Sequence, residues 1–248
     1  MAGLEGKVAW ITGGGGGIGR ATAIALAQEG AALALTGRRT EALQETAGLL
    51  VDGANVLIEP ADVNDASSIQ GIAERIERKF GALDIVVNNA GVNISERRWA
   101  DLTPGGVKQL IGANLIGAFN CVIAALPVMR RRRGGLFIHI GSRAARYWDG
   151  PGGAGYIAAK SGLAAMSHTI NVEEAANGVR STLINPGETA TPLLLSRTPP
   201  PSADDLQKIL RPEDCADLIR YIACLPDRIR INEITLTPIP RHAVAAGK

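Results

Sequence analysis

A chain of 248 residues lies at the upper end of the range for one domain and can bury a substantial core. Its formal net charge of +2, with no basic stripe interleaved with aromatic residues, argues against nucleic acid as a partner. Three cysteines, an odd number with no CxxC pair, predict reduced thiols and neither a disulfide nor a metal site. The first strand-like run begins too early to leave room for a signal peptide, so we expect a cytoplasmic protein.

Strand-like and helix-like runs alternate along the whole chain. Seven strands are predicted, at residues 7–12, 31–36, 54–58, 83–88, 136–141, 179–184 and 231–237. Predicted helices between them include residues 18–28, 66–80, 155–177 and 212–225. Continuous apolar strands such as Ile85-Val86-Val87 indicate burial on both faces of a parallel sheet. The sequence therefore predicts an α/β fold, a Rossmann-type doubly wound seven-stranded parallel sheet with helices on both faces, in which residues 1–248 form a single domain.

Four segments depart from this alternation. Residues 113–129 form an apolar run of 17 residues that contains two asparagines and a proline, which is too short and too polar to cross a membrane. We expect a helix buried in the core or at a subunit interface, and no membrane partner. Residues 193–205 predict a long loop that covers a site, and the tail after Pro240 is expected to be frayed. Four arginines at 130–133 predict solvated charge at a helix end.

A glycine-rich turn follows the first predicted strand. That strand ends at Thr12, and five glycines, residues 13–17, lead directly into a helix. Glycines permit positive φ and let backbone N–H groups approach a pyrophosphate at the start of the helix. Alone, such a run is a weak signal, because a flexible turn has the same composition. Its place after the first strand of a β-α-β unit indicates a dinucleotide site.

The end of the second predicted strand indicates which dinucleotide is bound. Dinucleotide-binding folds usually place an acidic residue here, which holds the ribose 2′-hydroxyl. This chain has the run Thr36-Gly37-Arg38-Arg39 and no carboxylate before Glu41. Arg38 and Arg39 suit a 2′-phosphate through charge-assisted planar contacts, and Thr36 can offer a hydroxyl. The pattern favours NADP(H) over NAD(H); the alternative is a pair of solvated loop arginines.

Three motifs together resemble the short-chain dehydrogenase/reductase family. They are Thr-Gly-x-x-x-Gly-Ile-Gly at residues 12–19, Asn-Asn-Ala-Gly at 88–91 and Tyr-Ile-Ala-Ala-Lys at 156–160. The motifs occur in the family's order and at its spacings, and the match extends over nearly the whole chain. The resemblance implies an NADP(H)-dependent oxidoreductase that interconverts a carbonyl and a secondary alcohol by hydride transfer. It also implies a homo-oligomer, a tetramer or a dimer.

The resemblance implies a catalytic group of Asn114, Ser142, Tyr156 and Lys160. Tyr156 and Lys160 are four residues apart and therefore share one face of a helix. A free tyrosine, with a pKa of roughly 10, is a poor base at neutral pH, but a nearby ammonium favours its phenolate. Tyr156 is then the general acid in reduction and the general base in oxidation. By resemblance, Ser142 bonds the substrate oxygen, Lys160 also holds the nicotinamide ribose, and Asn114 anchors a water between Lys160 and solvent.

Further residues are expected, by the same resemblance, to contact the cofactor. Asp62 is expected to meet the adenine amine, and Val63 the adenine through its backbone. The other candidates lie in the glycine-rich turn and after the fourth and sixth predicted strands: Thr12, Gly13, Gly15, Gly16, Gly17, Ile18, Gly19, Asn89, Ala90, Gly91, Pro186, Gly187, Thr189 and Thr191. Asn88 is interpreted as a residue that ties strands together, and His139 as a satisfied core residue.

The sequence defines the substrate less well. The last predicted strand reads Ile-Asn-Glu-Ile-Thr-Leu-Thr-Pro at 231–238, where family members often have Val-Asp-Gly-Gly. This ending is similar to a branch that acts on 3-hydroxy acids and serine-like substrates, and residues 143–155 look locally elaborated. Arg143 or Arg146 could bind a substrate carboxylate. Pocket candidates flank the catalytic residues in sequence: Asn93, Ile94, Trp99, Arg143, Trp148, Leu193, Leu194 and Leu195. Two alternatives stay open, a nucleotide-sugar epimerase of related fold and a cofactor-sensing regulator that has lost catalysis.

Overall fold

The strands form one parallel sheet. The computed structural model describes residues 3–148, 152–195 and 200–239, and within them seven strands pair in the order β3-β2-β1-β4-β5-β6-β7. They are β1 (Val8–Thr12), β2 (Ala32–Gly37), β3 (Val56–Pro60), β4 (Ile85–Asn88), β5 (Gly135–Ile140), β6 (Val179–Pro186) and β7 (Glu233–Leu236). Every pair of neighbours is parallel. The predicted doubly wound α/β sheet is confirmed, and the strand ends lie within two residues of the predicted ones.

Helices cover both faces of the sheet. They are α1 (Gly17–Gln28), α2 (Thr40–Ala47), α3 (Ala66–Phe80), α4 (Pro104–Ile111), α5 (Gly117–Arg132), α6 (Arg143–Tyr147), α7 (Ala154–Glu173), α8 (Pro192–Leu195), α9 (Ala203–Leu206) and α10 (Pro212–Ala223). Alternate strand side chains point to opposite faces, because the strand period is two residues. In β5, Phe137 packs with residues of α3, α5 and α7, while Ile138 packs with residues of α1, α2 and α10. The three cysteines are buried free thiols in these two clusters, as predicted.

The predicted apolar helix is part of a longer helical run, Pro104–Arg132, which consists of α4, a π-helical turn at Gly112–Ile116 and α5. Its length of 29 residues and the mean hydropathy of 1.8 in its most apolar 18-residue window would suffice to cross a membrane, a test that core helices of globular proteins also pass. Of its most apolar window, 44% is buried inside the fold, in the cluster that α5 shares with α3. The run is therefore longer than predicted, and its inner side belongs to the core.

The predicted loop at residues 193–205 contains helical turns. It begins inside α8 and ends inside α9, and a capping box explains the second of these. The Ser202 hydroxyl accepts a hydrogen bond from the N–H of Asp205, whose carboxylate accepts one from the N–H of Ser202. The prediction of an irregular loop is wrong at these points, because the three prolines concealed the capping pattern that follows them.

The predicted helix at residues 155–177 is also divided. Helix α7 ends at Glu173, a 3-10 turn follows at Ala175–Asn177, and Gly178, with φ +72°, ends the turn. Four short stretches of the chain lie outside the described residues. They are residues 1–2, residues 149–151 of the predicted elaborated loop, residues 196–199 of the predicted long loop, and residues 240–248, which hold the predicted frayed tail.

The four arginines at 130–133 are exposed at the end of α5, as predicted, and they also make specific contacts. Arg130 pairs with Glu174, Arg131 with Glu77 and Arg132 with Asp84, and Arg133 donates to the carbonyl oxygen of Ala176. Their partners are 43 to 54 residues away in sequence, so spacing alone does not reveal them. These contacts join the end of α5 to α3, to the loop before β4 and to the segment that follows α7.

Candidate active site

The predicted site residues collect at one edge of the sheet, where the parallel strands end. β1 and β4 are neighbours in the sheet, although β2 and β3 lie between them in sequence. At such a switch point, folds of this kind bind ligands in the crevice outside the carboxyl ends of the strands. The glycine-rich turn follows β1, residues 89–91 follow β4, and Ser142 follows β5. The motifs that are far apart in sequence therefore meet at this edge.

The glycine-rich turn is shaped to hold an anion. Gly13 and Gly17 have φ of +66° and +52°, which residues with a side chain rarely adopt. A Cβ at Gly19 would overlap the carbonyl oxygen of Gly13, so the turn closes tightly on the start of α1. Gly16 precedes α1 without a side-chain cap, and a Cβ there would meet only Pro192, at 3.8 Å. The N–H groups at this helix start fit a pyrophosphate.

Thr12 and Asn89 join the loops on the two sides of the switch point. The Thr12 side chain is buried; its hydroxyl donates to the Val87 carbonyl oxygen at 3.3 Å and accepts from the N–H groups of Asn89 and Ala90 at 3.1 Å. The Asn89 side chain donates to the carbonyl oxygens of Thr12 and Gly13, at 3.0 and 3.3 Å. The Thr12 side chain is thus enclosed, and its function in the structure is to hold the two loops together.

The end of β2 presents two exposed cations. Arg38 and Arg39 are exposed, and within the described part of the chain neither side chain makes a hydrogen bond or an ion pair. Thr36, expected to offer a hydroxyl, is instead fully buried, and its oxygen accepts a hydrogen bond of 2.9 Å from Trp10 Nε1. Thr36 is therefore a packing residue, because the indole N–H of a buried tryptophan requires an acceptor.

Residues after β3 form the neighbouring wall of the crevice. Asp62 is exposed, and its Oδ1 accepts hydrogen bonds of 2.9 Å from both the backbone and the side chain of Asn64. Val63 is buried, and its carbonyl oxygen accepts from Asn120 Nδ2 at 2.9 Å. Both residues thus have fixed positions beside the exposed end of β2.

Tyr156 and Lys160 lie on the first turns of α7. The Lys160 ammonium is 5.8 Å from the centre of the Tyr156 ring and donates a hydrogen bond of 2.7 Å to the Ile140 carbonyl oxygen at the end of β5. Lys160 is buried, and burial lowers its pKa to about 8, because a low-dielectric environment disfavours the charged form. At neutral pH the residue therefore remains mostly a cation, held close to the tyrosine ring.

Asn114 lies in the π-helical turn between α4 and α5, next to Lys160. A Cβ added to Gly91 would lie 2.6 Å from Asn114 Oδ1 and 3.3 Å from Lys160 Nζ, so these three residues are in close approach. The Asn114 side chain is buried; it donates to the carbonyl oxygens of Val92 and Leu110 and accepts from the Val92 N–H. The wider π turn, a feature frequent at functional sites, thus fixes the loop after β4 against the lysine.

A hydrogen-bonded chain of residues holds Ser142. Its hydroxyl accepts from the Ala144 N–H at 3.2 Å as the N-cap of α6, and its own N–H donates to Asn185 Oδ1 at 3.1 Å. Asn185 Nδ2 donates to Glu233 Oε1 at 2.8 Å, and that carboxylate pairs with Arg146 Nε at 3.0 Å. This series of hydrogen bonds was not predicted from the sequence. The one sequence signal for Asn185 is its place directly before the Pro-Gly pair that ends β6.

Tyr156 packs beside the first turn of α6. A Cβ added to Gly152 would lie 3.3 Å from Tyr156 Cδ1 and 3.4 Å from Ala144 Cβ, so the ring and the residues after Ser142 share one small space. Asn93 Nδ2 donates to the Gly152 carbonyl oxygen at 3.1 Å, which ties the loop after β4 to the start of α7. The structure therefore brings together the serine, tyrosine and lysine that the sequence places in three separate segments.

Asn88 and His139 form a buried polar pair beneath this group. Asn88 Nδ2 lies 3.1 Å from His139 Nδ1 across β4 and β5, which confirms Asn88 as a residue that ties strands together. The interpretation of His139 as a satisfied core residue is wrong in one respect: Nε2 has no hydrogen-bond partner among the described residues. Burial and, to a lesser degree, the Lys160 charge lower the pKa of His139 to about 3. The imidazole is therefore neutral.

The segment after β6 packs against the glycine-rich turn. Pro186 ends β6, and the N–H of Gly187 donates to the Leu236 carbonyl oxygen at 2.7 Å. Thr189 is buried, and its hydroxyl donates to the carbonyl oxygen of Gly187 at 3.1 Å. Thr191 is half-buried, with its methyl group 3.1 Å from a Cβ added to Gly17. This segment therefore borders the turn directly.

The pocket candidates differ in exposure. Trp99 and Trp148 are 83% and 77% exposed, and Leu193 and Leu195 are also exposed, whereas Leu194 is buried. A separate cleft of about 540 Å³ lies at the amino ends of β1 and β2, between residues that include Lys7, Gly30 and Lys79. None of the predicted site residues lines that cleft.

A parallel doubly wound sheet with a glycine-rich turn at its switch point, and a tyrosine–lysine pair beside it, defines a Rossmann-type oxidoreductase. A sequence profile described as short chain dehydrogenase matches residues 7–200. The chain belongs to the short-chain dehydrogenase family. It is an oxidoreductase acting on CH–OH groups.

Relatives of similar length support this assignment. An uncharacterized oxidoreductase of Staphylococcus aureus (strain MW2) is 33% identical over 239 residues, which is 96% of this chain and 100% of the relative. An alcohol dehydrogenase from the archaeon Thermococcus sibiricus, solved with 5-hydroxy-NADP, is 30% identical with a TM-score of 0.85 over 96% of this chain and 98% of its own. A metagenomic short-chain oxidoreductase, solved with NADP, is 27% identical with a TM-score of 0.81 over 95% and 98%.

Proposed function

We propose that this chain is an NADP(H)-dependent oxidoreductase that interconverts a carbonyl and a secondary alcohol, with Tyr156 as the general acid or base. One observation carries the proposal. Buried Lys160 is held 5.8 Å from the Tyr156 ring centre, at the same edge of the sheet as the glycine-rich turn and Ser142. A tyrosine beside a buried cation and a capped serine hydroxyl is suited to proton transfer at a substrate oxygen.

The cofactor site is proposed from the residues at this edge. The N–H groups of the glycine-rich turn would hold the pyrophosphate, and Arg38 and Arg39 the 2′-phosphate. Asp62 and Val63 would border the adenine. Residues after β4 and β6 would line the path to the nicotinamide, namely Asn89, Ala90, Gly91, Pro186, Gly187, Thr189 and Thr191. The NADP and 5-hydroxy-NADP named in two related structures support NADP(H).

The chemistry divides between the cofactor and the side chains. NADP(H), when bound, supplies or accepts the hydride. The Ser142 hydroxyl accepts from the Ala144 N–H, so its own proton is available for a hydrogen bond to the substrate oxygen. Tyr156 donates a proton to that oxygen in reduction and removes it in oxidation. The Lys160 cation stabilises the phenolate that results, and Asn114 keeps the loop beside Lys160 in place.

A small ketone or 3-hydroxy acid is the proposed substrate. Arg143 and Arg146 both lie on α6 within 6 Å of the Tyr147 ring, and Arg146 also pairs with Glu233. Either arginine could bind a substrate carboxylate. We further propose a cytoplasmic protein in which residues 1–248 form one domain and several copies associate, most simply as a tetramer.

A substrate screen tests the proposed function. Purified protein is incubated with NADPH and panels of ketones, aldehydes and sugars, or with NADP and β-hydroxy acids, while absorbance at the nicotinamide band is followed. We expect turnover with at least one small carbonyl compound or hydroxy acid. Dinucleotide binding without any turnover would favour a cofactor-sensing regulator and contradict the proposal.

A further inference from the structure

We propose that Arg20 and Thr46 are positioning residues that hold the glycine-rich turn in its cofactor-binding shape before the cofactor binds. The inference rests on the proposed cofactor site at this turn. Neither residue belongs to the motifs that identify the family. Arg20 lies on α1 and Thr46 on α2, so the two side chains approach the turn from outside it.

The two side chains bond consecutive carbonyl oxygens of the turn. The Thr46 hydroxyl lies 2.8 Å from the Gly14 carbonyl oxygen, closer than the 3.0 Å to the Ala42 carbonyl oxygen of its own helix, and it accepts a hydrogen bond of 3.0 Å from Arg20 Nε. Arg20 Nη2 donates to the Gly15 carbonyl oxygen at 2.9 Å and to Glu45 Oε2 at 2.9 Å. Thr46 is fully buried, so its hydroxyl has a fixed position. The guanidinium therefore acts as a planar bridge between the turn and α2.

These bonds determine where the N–H groups of the turn point. In a trans peptide the carbonyl oxygen and the following N–H point in opposite directions. The carbonyl oxygens of Gly14 and Gly15 are held toward Thr46 and Arg20. The N–H groups that follow them, those of Gly15 and Gly16, therefore point to the other side. We place the loops after β4 and β6 on that side, because they meet the two ends of the turn, where Gly13 approaches Asn89 and Gly17 approaches Thr191. This is where a pyrophosphate would lie.

Five consecutive glycines make such an external hold important. Glycine loses more conformational freedom on ordering than any other residue, and residues 13–17 are all glycine. A turn that became ordered only on binding would lose affinity through that entropy. Arg20 and Thr46 order the turn in the free protein and so reduce the loss.

The proposal predicts a specific pattern of affinities. The held peptides face the pyrophosphate, which NADPH and NADH share, so loss of the hold should weaken both dinucleotides by the same factor. Each hydrogen bond lost contributes on the order of two- to tenfold. We therefore expect Arg20→Gln and Thr46→Val to weaken both dinucleotides by about three- to thirtyfold, with the NADPH-to-NADH affinity ratio unchanged.

Titrations and hydrogen exchange on the full-length protein test the proposal. Dissociation constants for NADPH and NADH are measured by nicotinamide fluorescence for wild type, Arg20→Gln, Thr46→Val and Thr46→Ser, which keeps the hydroxyl. Amide exchange of residues 13–19 is measured without cofactor. Arg131→Gln is the matched control, because it removes an arginine paired with Glu77 at the end of α5. We expect faster exchange and weaker binding in Arg20→Gln and Thr46→Val, and wild-type values in Thr46→Ser and the control.

Unchanged affinities and exchange in folded Thr46→Val and Arg20→Gln proteins would overturn the proposal. Weakening of NADPH alone would also overturn it, because Arg20 would then contact the 2′-phosphate. Should Arg20→Gln fail to fold, the comparison of Thr46→Val with Thr46→Ser decides the question. A wild-type protein that binds neither dinucleotide would refute the proposed function itself, an outcome distinct from a change confined to the variants.

Discussion

The ammonium of Lys160 donates a 2.7 Å hydrogen bond to the carbonyl oxygen of Ile140, the last residue of β5. This contact fixes α7 to the strand that leads into Ser142, so the lysine positions the tyrosine helix as well as providing charge. The cost is a buried cation, and burial lowers its pKa to about 8 from an ordinary value of 10.5.

This buried charge predicts how stability depends on pH. The folded-state pKa lies below the unfolded one, so between pH 8 and 10.5 the unfolded chain binds more protons, and the free energy of unfolding rises with pH. Lys160→Met lacks this group, so its free energy of unfolding should not show this rise. The free energy of unfolding of the variant minus that of wild type should therefore decrease across this window, by on the order of 3 kcal/mol. Urea unfolding of both cofactor-free proteins at pH 7 and pH 10 measures it, with exposed Lys208→Met as control. A difference that does not change with pH would contradict the buried cation.

The chain from Ser142 through Asn185 to Glu233 predicts an effect of a residue on the last strand. Glu233→Leu removes the acceptor of Asn185 and the partner of Arg146, so Ser142 should be less well positioned. We expect kcat to fall about fivefold, in line with loss of a hydrogen bond, and NADPH affinity to stay unchanged. Glu233→Gln keeps an oxygen acceptor for Asn185 and should lose less. Equal activity in Glu233→Leu and wild type would show that the hydrogen bonds from Glu233 through Asn185 do not position Ser142.

Arg38 is predicted to select NADPH. Its exposed guanidinium at the end of β2 can make a charge-assisted contact with the 2′-phosphate, and no carboxylate precedes Glu41. Arg38→Ala should weaken NADPH by about 10- to 150-fold and leave NADH nearly unchanged. The loss should shrink at high salt, since an exposed ion pair is screened. Titration of the wild type with both dinucleotides is the check, and equal affinities would refute the role of Arg38.

The outer side of the long helical run predicts self-association. Ile116, Phe119 and Ile123 are 48%, 41% and 62% exposed, and neighbouring exposed apolar residues often mark a protein–protein contact. We expect a homotetramer in light scattering, and Ile123→Glu should give smaller species. Leu49→Glu changes an exposed leucine that follows α2, and it should leave the tetramer intact. A stable wild-type monomer at micromolar concentration would contradict this.

Motif order and strand patterning were sufficient to predict the sheet and the edge at which Tyr156, Lys160 and the glycine-rich turn meet. Parallel strands bring their carboxyl ends together, so residues placed after strands meet whatever their separation in sequence. The side chains that hold the site were not predictable in this way. Arg20 reaches Glu45 and Asn185 reaches Glu233 only after helices and strands have packed, 25 and 48 residues apart.

Local signals were also incomplete. Thr36 lies where a side-chain hydroxyl is expected to contact the cofactor. Whether that side chain faces the crevice or the core depends on Trp10 in the adjacent strand β1. The environment of His139 depends in the same way on Asn88, a residue of β4. Such outcomes follow from cross-strand neighbours, which a single sequence does not specify.

Tyr156→Phe tests the central claim most directly. The change removes one hydroxyl and keeps the ring that packs beside Gly152, so dinucleotide binding should be retained. Turnover of the best substrate from the screen should fall by about 10²–10⁴-fold, the usual contribution of a general acid or base. Tyr221→Phe, on α10, removes a hydroxyl from another half-exposed tyrosine and should keep wild-type turnover. Loss of turnover confined to Tyr156→Phe would support the account, and near-normal turnover in that variant would contradict it.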